Sequence, residues 1–128
     1  MSRDIRIIIA GSREFNDVEL MNISITNYLS DIELTKEDKI TIISGGARRA
    51  DSLGEKFAEN NRFNLHRFLA DWNKYGKSAG IIRNCEMAKY AKEGTGVLFA
   101  FWDGKSRGTS HMISYAKKLG LEVHVVEY

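Results

Sequence analysis

Apolar positions fall into short, nearly unbroken runs that alternate with stretches of helical spacing. Ile5 to Ala10 is rich in isoleucine and predicts a strand buried on both faces, ended by Gly11. Asp17 is placed to cap the next helix, in which Val18, Leu20, Met21, Ile23, Ile25, Tyr28 and Leu29 recur at roughly helical spacing through Ile32. A charged connection then leads into a second strand, Ile40 to Ile43. A helix from about Ala50 to Asn60 places Leu53, Phe57 and Ala58 on one apolar side. Asn64 to Ala70 predicts a third strand, its pattern interrupted by His66 and Arg67, and the polar and aromatic segment after it, 71–77, has no clear period. Ala79 to Lys92 reads as a helix, Val97 to Trp102 as a central strand and Thr109 to Leu119 as the last helix. Gly120 is that helix's stop, and Leu121 to Val126 is the fifth strand.

Strict alternation of strands and helices, with right-handed crossovers, predicts an α/β fold: a three-layer Rossmann-like single domain over residues 1–128. Its five-stranded parallel sheet takes the order 3-2-1-4-5, with helices on both faces. In that order the chain reverses direction between the first and fourth strands, and the crevice there collects the first and last strand-to-helix turns. A length of 128 residues, 43% apolar and 28% charged, is that of one soluble globular domain. With no proline in the chain, glycine carries most of the turn chemistry.

Candidate chemistry sits in three glycine-bearing segments, each at the end of a strand: Gly11-Ser12-Arg13, Ser44-Gly45-Gly46-Ala47-Arg48-Arg49-Ala50-Asp51 and Asp103-Gly104-Lys105-Ser106-Arg107-Gly108-Thr109. One such turn is ordinary turn geometry. Three on the same sheet edge, each with a cation and each leading toward a helix N-terminus, predict a site for phosphate or another compact anion. Asp71 and Trp72, with Tyr75 and Lys77, follow the third strand on that edge. Their aromatic rings fit either stacking on a base or a plain hydrophobic lid. Arg83 and Asn84 are expected in the first turn of the next helix, where a cation opposes the helix dipole unless an anion or a carboxylate such as Asp51 or Asp71 faces it. Neither the P-loop pattern nor the dinucleotide fingerprint is intact, since Arg13 stands where the fingerprint's second glycine would be.

The remaining residues narrow the classes. A net charge of +2 argues against general nucleic-acid binding, which needs a basic block or stripe. The lone Cys85 rules out an internal disulfide and points, with the absence of any signal or membrane-spanning run, to the cytoplasm. His66, His111 and His124 are scattered, so neither a metal nor another cofactor is expected. Glu55 reads as a solvated helix residue or, in an enzyme, as a general base. The Ile- and Met-rich helix Val18 to Ile32 is a candidate homo-oligomer face, with inward core packing as its ordinary explanation.

Taken in order, Gly-Ser-Arg-Glu-Phe at 11–15, Ser-Gly-Gly-Ala-Arg-Arg-Ala-Asp at 44–51, Ala-Asp-Trp at 70–72, Tyr-Gly-Lys-x-Ala-Gly-x-x-Arg-Asn at 75–84 and Ser-Arg-Gly-Thr at 106–109 resemble the SLOG superfamily, in its short YspA-like branch. The resemblance implies a Rossmann-like domain that binds a nucleotide or nucleotide-derived ligand. It places Gly11, Ser12, Arg13, Gly45, Gly46, Asp51, Arg83, Asn84, Gly108 and Thr109 around the pocket. The Lonely Guy enzymes of that superfamily use a glutamate in Pro-Gly-Gly-x-Gly-Thr-x-x-Glu to cleave the base–ribose bond, and alignment on Gly108-Thr109 puts Met112 there. Three functions follow as expectations. One is a sensor or sequestering protein for a cyclic or ADP-ribose-like signal. Another is a nucleoside 5′-monophosphate phosphoribohydrolase, or N-glycosidase, with Asp51 or Glu55 in place of the glutamate. The third is a single-strand nucleic-acid binder with Arg48, Arg49, Lys74, Lys77, Lys105 and Arg107 as a basic rim.

Overall fold

The computed structural model describes residues 2–46 and 50–128, with the side chains of Ala50 and Asp51 outside that description. The isoleucine run forms β1 (Asp4–Gly11), which pairs in parallel with β2 (Lys39–Ser44) on one side and β4 (Thr95–Trp102) on the other. β3 (Asn64–Arg67) adds outside β2 and β5 (Glu122–Glu127) outside β4. The order is 3-2-1-4-5, as the sequence predicts.

Because strand side chains alternate, the run splits between two cores. Ile5, Ile7 and Ile9 meet α1 (Val18–Asp31) and α2 (Ala50–Asn60) through Met21, Ile25, Leu29 and Phe57. Ile8, on the opposite face, meets α4 (Ala79–Lys92) and α5 (Arg107–Lys118) through Met87, Ala88, Met112 and Ile113. Asp17 starts α1 as expected, its Oδ1 accepting the Leu20 N–H at 3.0 Å. The apolar side of α1 is turned inward, which leaves Val18 and Ile23 as its exposed apolar residues.

Several boundaries differ from the sequence reading by a residue or two, β4 starting at Thr95 rather than Val97, and three differences have a local reason. β3 stops at Arg67 rather than Ala70. The Phe68 N–H still donates to the Ser44 carbonyl at 2.8 Å, but β2 ends there, so Leu69 and Ala70 have no strand to pair with. The segment without a period holds α3 (Trp72–Tyr75), one turn started by the Asp71 carboxylate accepting the Lys74 N–H at 3.0 Å, and then a 3-10 turn at Gly76–Ser78. α5 begins at Arg107 because Ser106 is its cap, with Oγ facing the Thr109 N–H at 3.4 Å.

Close approach of α2 to β1 depends on Gly54. A Cβ there would lie 3.2–3.3 Å from three atoms of the Ile9 side chain, itself fully buried. Gly54→Leu is expected to cost about 1–3 kcal/mol by overpacking. Urea unfolding should show it as a lower midpoint with an unchanged slope.

Candidate functional site

Strand ends β1, β2 and β4 and the segment after β3 surround a cleft of about 940 Å³ at the topological switch point. Of the residues singled out in the sequence, Gly11, Arg13, Gly45, Gly46, Trp72, Arg83, Asn84, Ser106, Gly108 and Thr109 line it. Ala47 and the side chain of Asp51 lie outside the described residues, as do Arg48 and Arg49.

Other singled-out side chains build the walls instead of facing the cleft. Ser12 and Ser44 are each only 1% exposed. The Ser12 Oγ accepts the Asp103 N–H at 3.0 Å and its own N–H donates to the Phe101 carbonyl at 2.9 Å, tying the turn after β1 to the turn after β4. Asp103 Oδ1 accepts the N–H groups of Lys105 and Ser106, both at 2.8 Å; the Ser106 and Lys105 bonds hold its pKa below the usual carboxylate range.

Ser44 Oγ accepts the Gly46 N–H at 3.0 Å and donates to Glu55 Oε2 at 2.8 Å, and Glu55 is also paired with Arg67. The Arg67 bond, and then the Ser44 bond, lower the Glu55 pKa against the opposing effect of burial. Glu55 therefore anchors the turn after β2 and stays outside the cleft lining. Asp71 caps α3, while Lys77 and Arg107 are exposed beside the cleft rather than in its lining.

The turn after β2 requires glycine at 46. Gly46 has φ of 69°, and a Cβ there would lie 2.3 Å from Leu69 Cδ2. Arg83 lies over the neighbouring Gly45: a Cβ on Gly45 would be 3.0 Å from its guanidinium carbon, and Arg83 Nη1 donates to the Gly45 carbonyl at 3.2 Å. Arg83 is the fifth residue of α4, just past the first turn in which the sequence reading expects it. The helix dipole fades within the first turn, so it does not explain the residue. What marks Arg83 is its Nε, buried with no hydrogen-bond partner among the described residues.

Across the cleft stands the start of α5. Ser106 serves the Thr109 N–H, which leaves the Arg107 and Gly108 N–H groups with no partner among the described residues. A Cβ on Gly108 would meet nothing within 4 Å, so neither contact nor backbone strain demands a glycine there. Asn84, buried between the two helices, donates through Nδ2 to the Gly108 carbonyl at 3.3 Å and lies 3.3 Å from His111 Nδ1.

Sequence reasoning passed over Ala10, Ser52, Leu69, Ala70 and Met87 as lining residues. Met87 had a usable signal, lying one helical turn beyond Arg83 on the same face of α4. Leu69 and Ala70 had none, because an apolar residue in a presumed strand announces only core. Met112, aligned with the Lonely Guy glutamate, does line the cleft and is 1% exposed. Among the described lining residues Arg13 and Arg83 are the charged ones, and none of those described residues is a carboxylate. No His, Cys, Asp and Glu group among the described residues could hold a metal ion.

A doubly wound parallel sheet with a cationic, glycine-edged cleft at its switch point defines a Rossmann-like domain. The YspA, cpYpsA-related SLOG family (YAcAr) matches residues 5–75, more than half of the chain. Gene 61 protein of Mycobacterium phage D29 is 36% identical over 125 residues, covering 92% of this chain and 93% of that protein. The chain belongs to the YspA, cpYpsA-related SLOG family, and with it to the nucleotide-related Rossmann-like proteins. No solved structure matches it. Among the described residues no helix is long and apolar enough to cross a membrane.

Proposed function

We propose that the protein binds a nucleotide or nucleotide-derived ligand, of cyclic second-messenger or ADP-ribose-like type, in the switch-point cleft, and acts as a sensor or sequestering protein. The observation that carries this reading is Arg83. A guanidinium whose buried Nε has no partner among the described residues lines a cleft that also holds Arg13 and Gly108, whose N–H has no partner among the described residues either. Buried donors are nearly always satisfied, and an anion seated there supplies what the protein does not. The exposed Trp72 and Leu69, 60% and 67% accessible on the rim, supply an apolar surface for a base.

Binding without turnover is favoured by two of the residues an enzyme would call on. Met112 can neither accept a proton nor stabilise positive charge, and Glu55 is held by Arg67 and Ser44.

The test is to incubate the purified protein with nucleotides, cyclic nucleotide signals and ADP-ribose, and to identify by mass spectrometry what is released on denaturation. An intact phosphorylated ligand is expected. Retention of none would overturn the reading, and recovery of free base with ribose phosphate would replace it with hydrolysis. Gly108→Val is expected to lower retention by about tenfold or more by filling the space before the Gly108 N–H. The apo melting temperature should move by only a few degrees, since a Cβ at 108 meets nothing within 4 Å.

A further inference from the structure

A second cavity has chemistry opposite to that of the cleft. It measures about 340 Å³ and lies between the C-terminal half of α1 and the α1-facing side of β4 and β5. Asn27, Tyr28, Asp31, Phe99, Glu122 and His124 are among its lining residues, and it shares none with the switch-point cleft.

Its walls are aromatic and acidic. His124 lies flat on Phe99, with ring centroids 4.7 Å apart and planes 12° from parallel. Tyr28 meets both rings edge-on, at 5.5 Å from His124 and 5.6 Å from Phe99. The Glu122 carboxylate accepts the His124 Nε2 proton at 2.5 Å, Asp31 contributes a second carboxylate, and neither lysine nor arginine is in the lining.

Tyr28 is the second, independent observation. The residue is only 8% exposed and lines the cavity, and its hydroxyl has no hydrogen-bond partner among the described residues and is accessible rather than buried. Burial, and after it the Glu122 carboxylate, push the phenol pKa up, so the group stays a neutral hydroxyl. Arg3 is the cation whose field reaches this hydroxyl, but its guanidinium is held 2.7 Å from Asp38. The cavity therefore presents carboxylate and phenol oxygens with neither lysine nor arginine in its lining, and His124, paired with one Glu122 oxygen, is the basic group beside them.

We propose that this cavity binds the head of an organic cation, a guanidinium or alkylammonium group. Tyr28, Glu122 and Asp31 accept its N–H groups, and the stacked His124 and Phe99 form its aromatic wall. The volume admits one such head with a short alkyl stem, either a free small molecule or a side chain presented by a protein.

The test is a titration of methylguanidinium into the ¹⁵N-labelled protein, with neutral methylurea as the isosteric control. Saturable amide shifts confined to 24–32 and 122–124 are expected with the cation and not with methylurea. Glu122→Gln should weaken binding by about tenfold and Tyr28→Phe by about threefold. If Glu122→Gln does not fold, Asp31→Asn on the exposed side of α1 gives the same comparison. A blocked peptide with a single arginine that binds about tenfold tighter than methylguanidinium identifies a protein side chain as the source, and equal affinity identifies a free small cation. Shifts that fail to saturate, equal shifts with methylurea, or undiminished affinity in Glu122→Gln would overturn the proposal. Because the two cavities share no residue, none of these outcomes bears on the switch-point cleft.

Discussion

Replacing Arg83 by methionine is expected to abolish nucleotide retention while leaving the protein folded and at least as stable as before. Two effects on stability oppose each other. The substitution removes the bond from Nη1 to the Gly45 carbonyl, worth about 1 kcal/mol. It also removes the buried Nε that has no partner among the described residues, whose burial costs about 1–3 kcal/mol. Met keeps most of the aliphatic packing beside Gly45. The net change is expected between zero and about 2 kcal/mol in favour of the folded state. Binding has no such compensation. An anion that lost two charge-assisted hydrogen bonds, each worth about 1.5–3 kcal/mol, would bind roughly a hundredfold more weakly or worse. The measurement is the melting temperature with and without AMP or ADP-ribose. A variant that still shows the wild-type ligand shift would remove Arg83 from the site. A collapsed apo melting temperature would mean that the residue is a structural strut.

Asp38→Ala should be the most damaging substitution away from both cavities. The Asp38 side chain is 1% exposed, receiving the Arg3 N–H at 2.8 Å, the Arg3 guanidinium at 2.7 Å and the Thr35 N–H at 3.0 Å. With the Lys39 N–H donating to the Arg3 carbonyl at 2.8 Å, this carboxylate fixes how β1 and β2 start side by side. Its loss leaves several donors unmatched at once, and a fall in melting temperature of roughly 5–10 °C is expected. The Arg3 bond, and then the backbone bonds from Thr35 and Arg3, hold the Asp38 pKa far below the usual carboxylate range. A lowered folded-state pKa contributes stability that is complete above the unfolded value, near pH 4, and is lost as pH falls toward the folded value. Wild type should lose melting temperature steadily below about pH 4, with Glu55 and Asp103 contributing in the same direction. Asp38→Ala should show a shallower acid limb. An equally steep one would mean that the Arg3–Asp38 pair contributes little to the acid sensitivity.

The architecture was legible because local and global signals agree in this chain. The run Ile7-Ile8-Ile9 can only be a strand buried on both faces, and glycines at the strand ends mark where the chain must turn. Where the reading missed, the deciding contact was distant. The end of β3 depends on where β2 stops, which Leu69 and Ala70 do not encode. α3 exists because one carboxylate, Asp71, starts a single turn too short to carry a period. In the site, the cations and glycines were identifiable by type, but the direction of each side chain was not. Ser12 and Ser44 turn inward to Asp103 and Glu55, contacts that span 91 and 11 residues. Arg83 was singled out for the sake of a dipole that does not reach it. Its buried Nε is visible only in three dimensions.

The bond between Ser12 and Asp103 gives the cleft one fixed jaw. Its β1 and β4 sides are stitched together before any ligand arrives, so neither can retreat alone to admit a bulkier one. The opposing jaw carries Leu69 and Trp72 on the stretch that follows a four-residue edge strand, and substitution there leaves every strand pairing untouched. Divergence in ligand choice is therefore expected to gather at positions 69 and 72, where a protein of this fold changes what it holds without relearning how to fold.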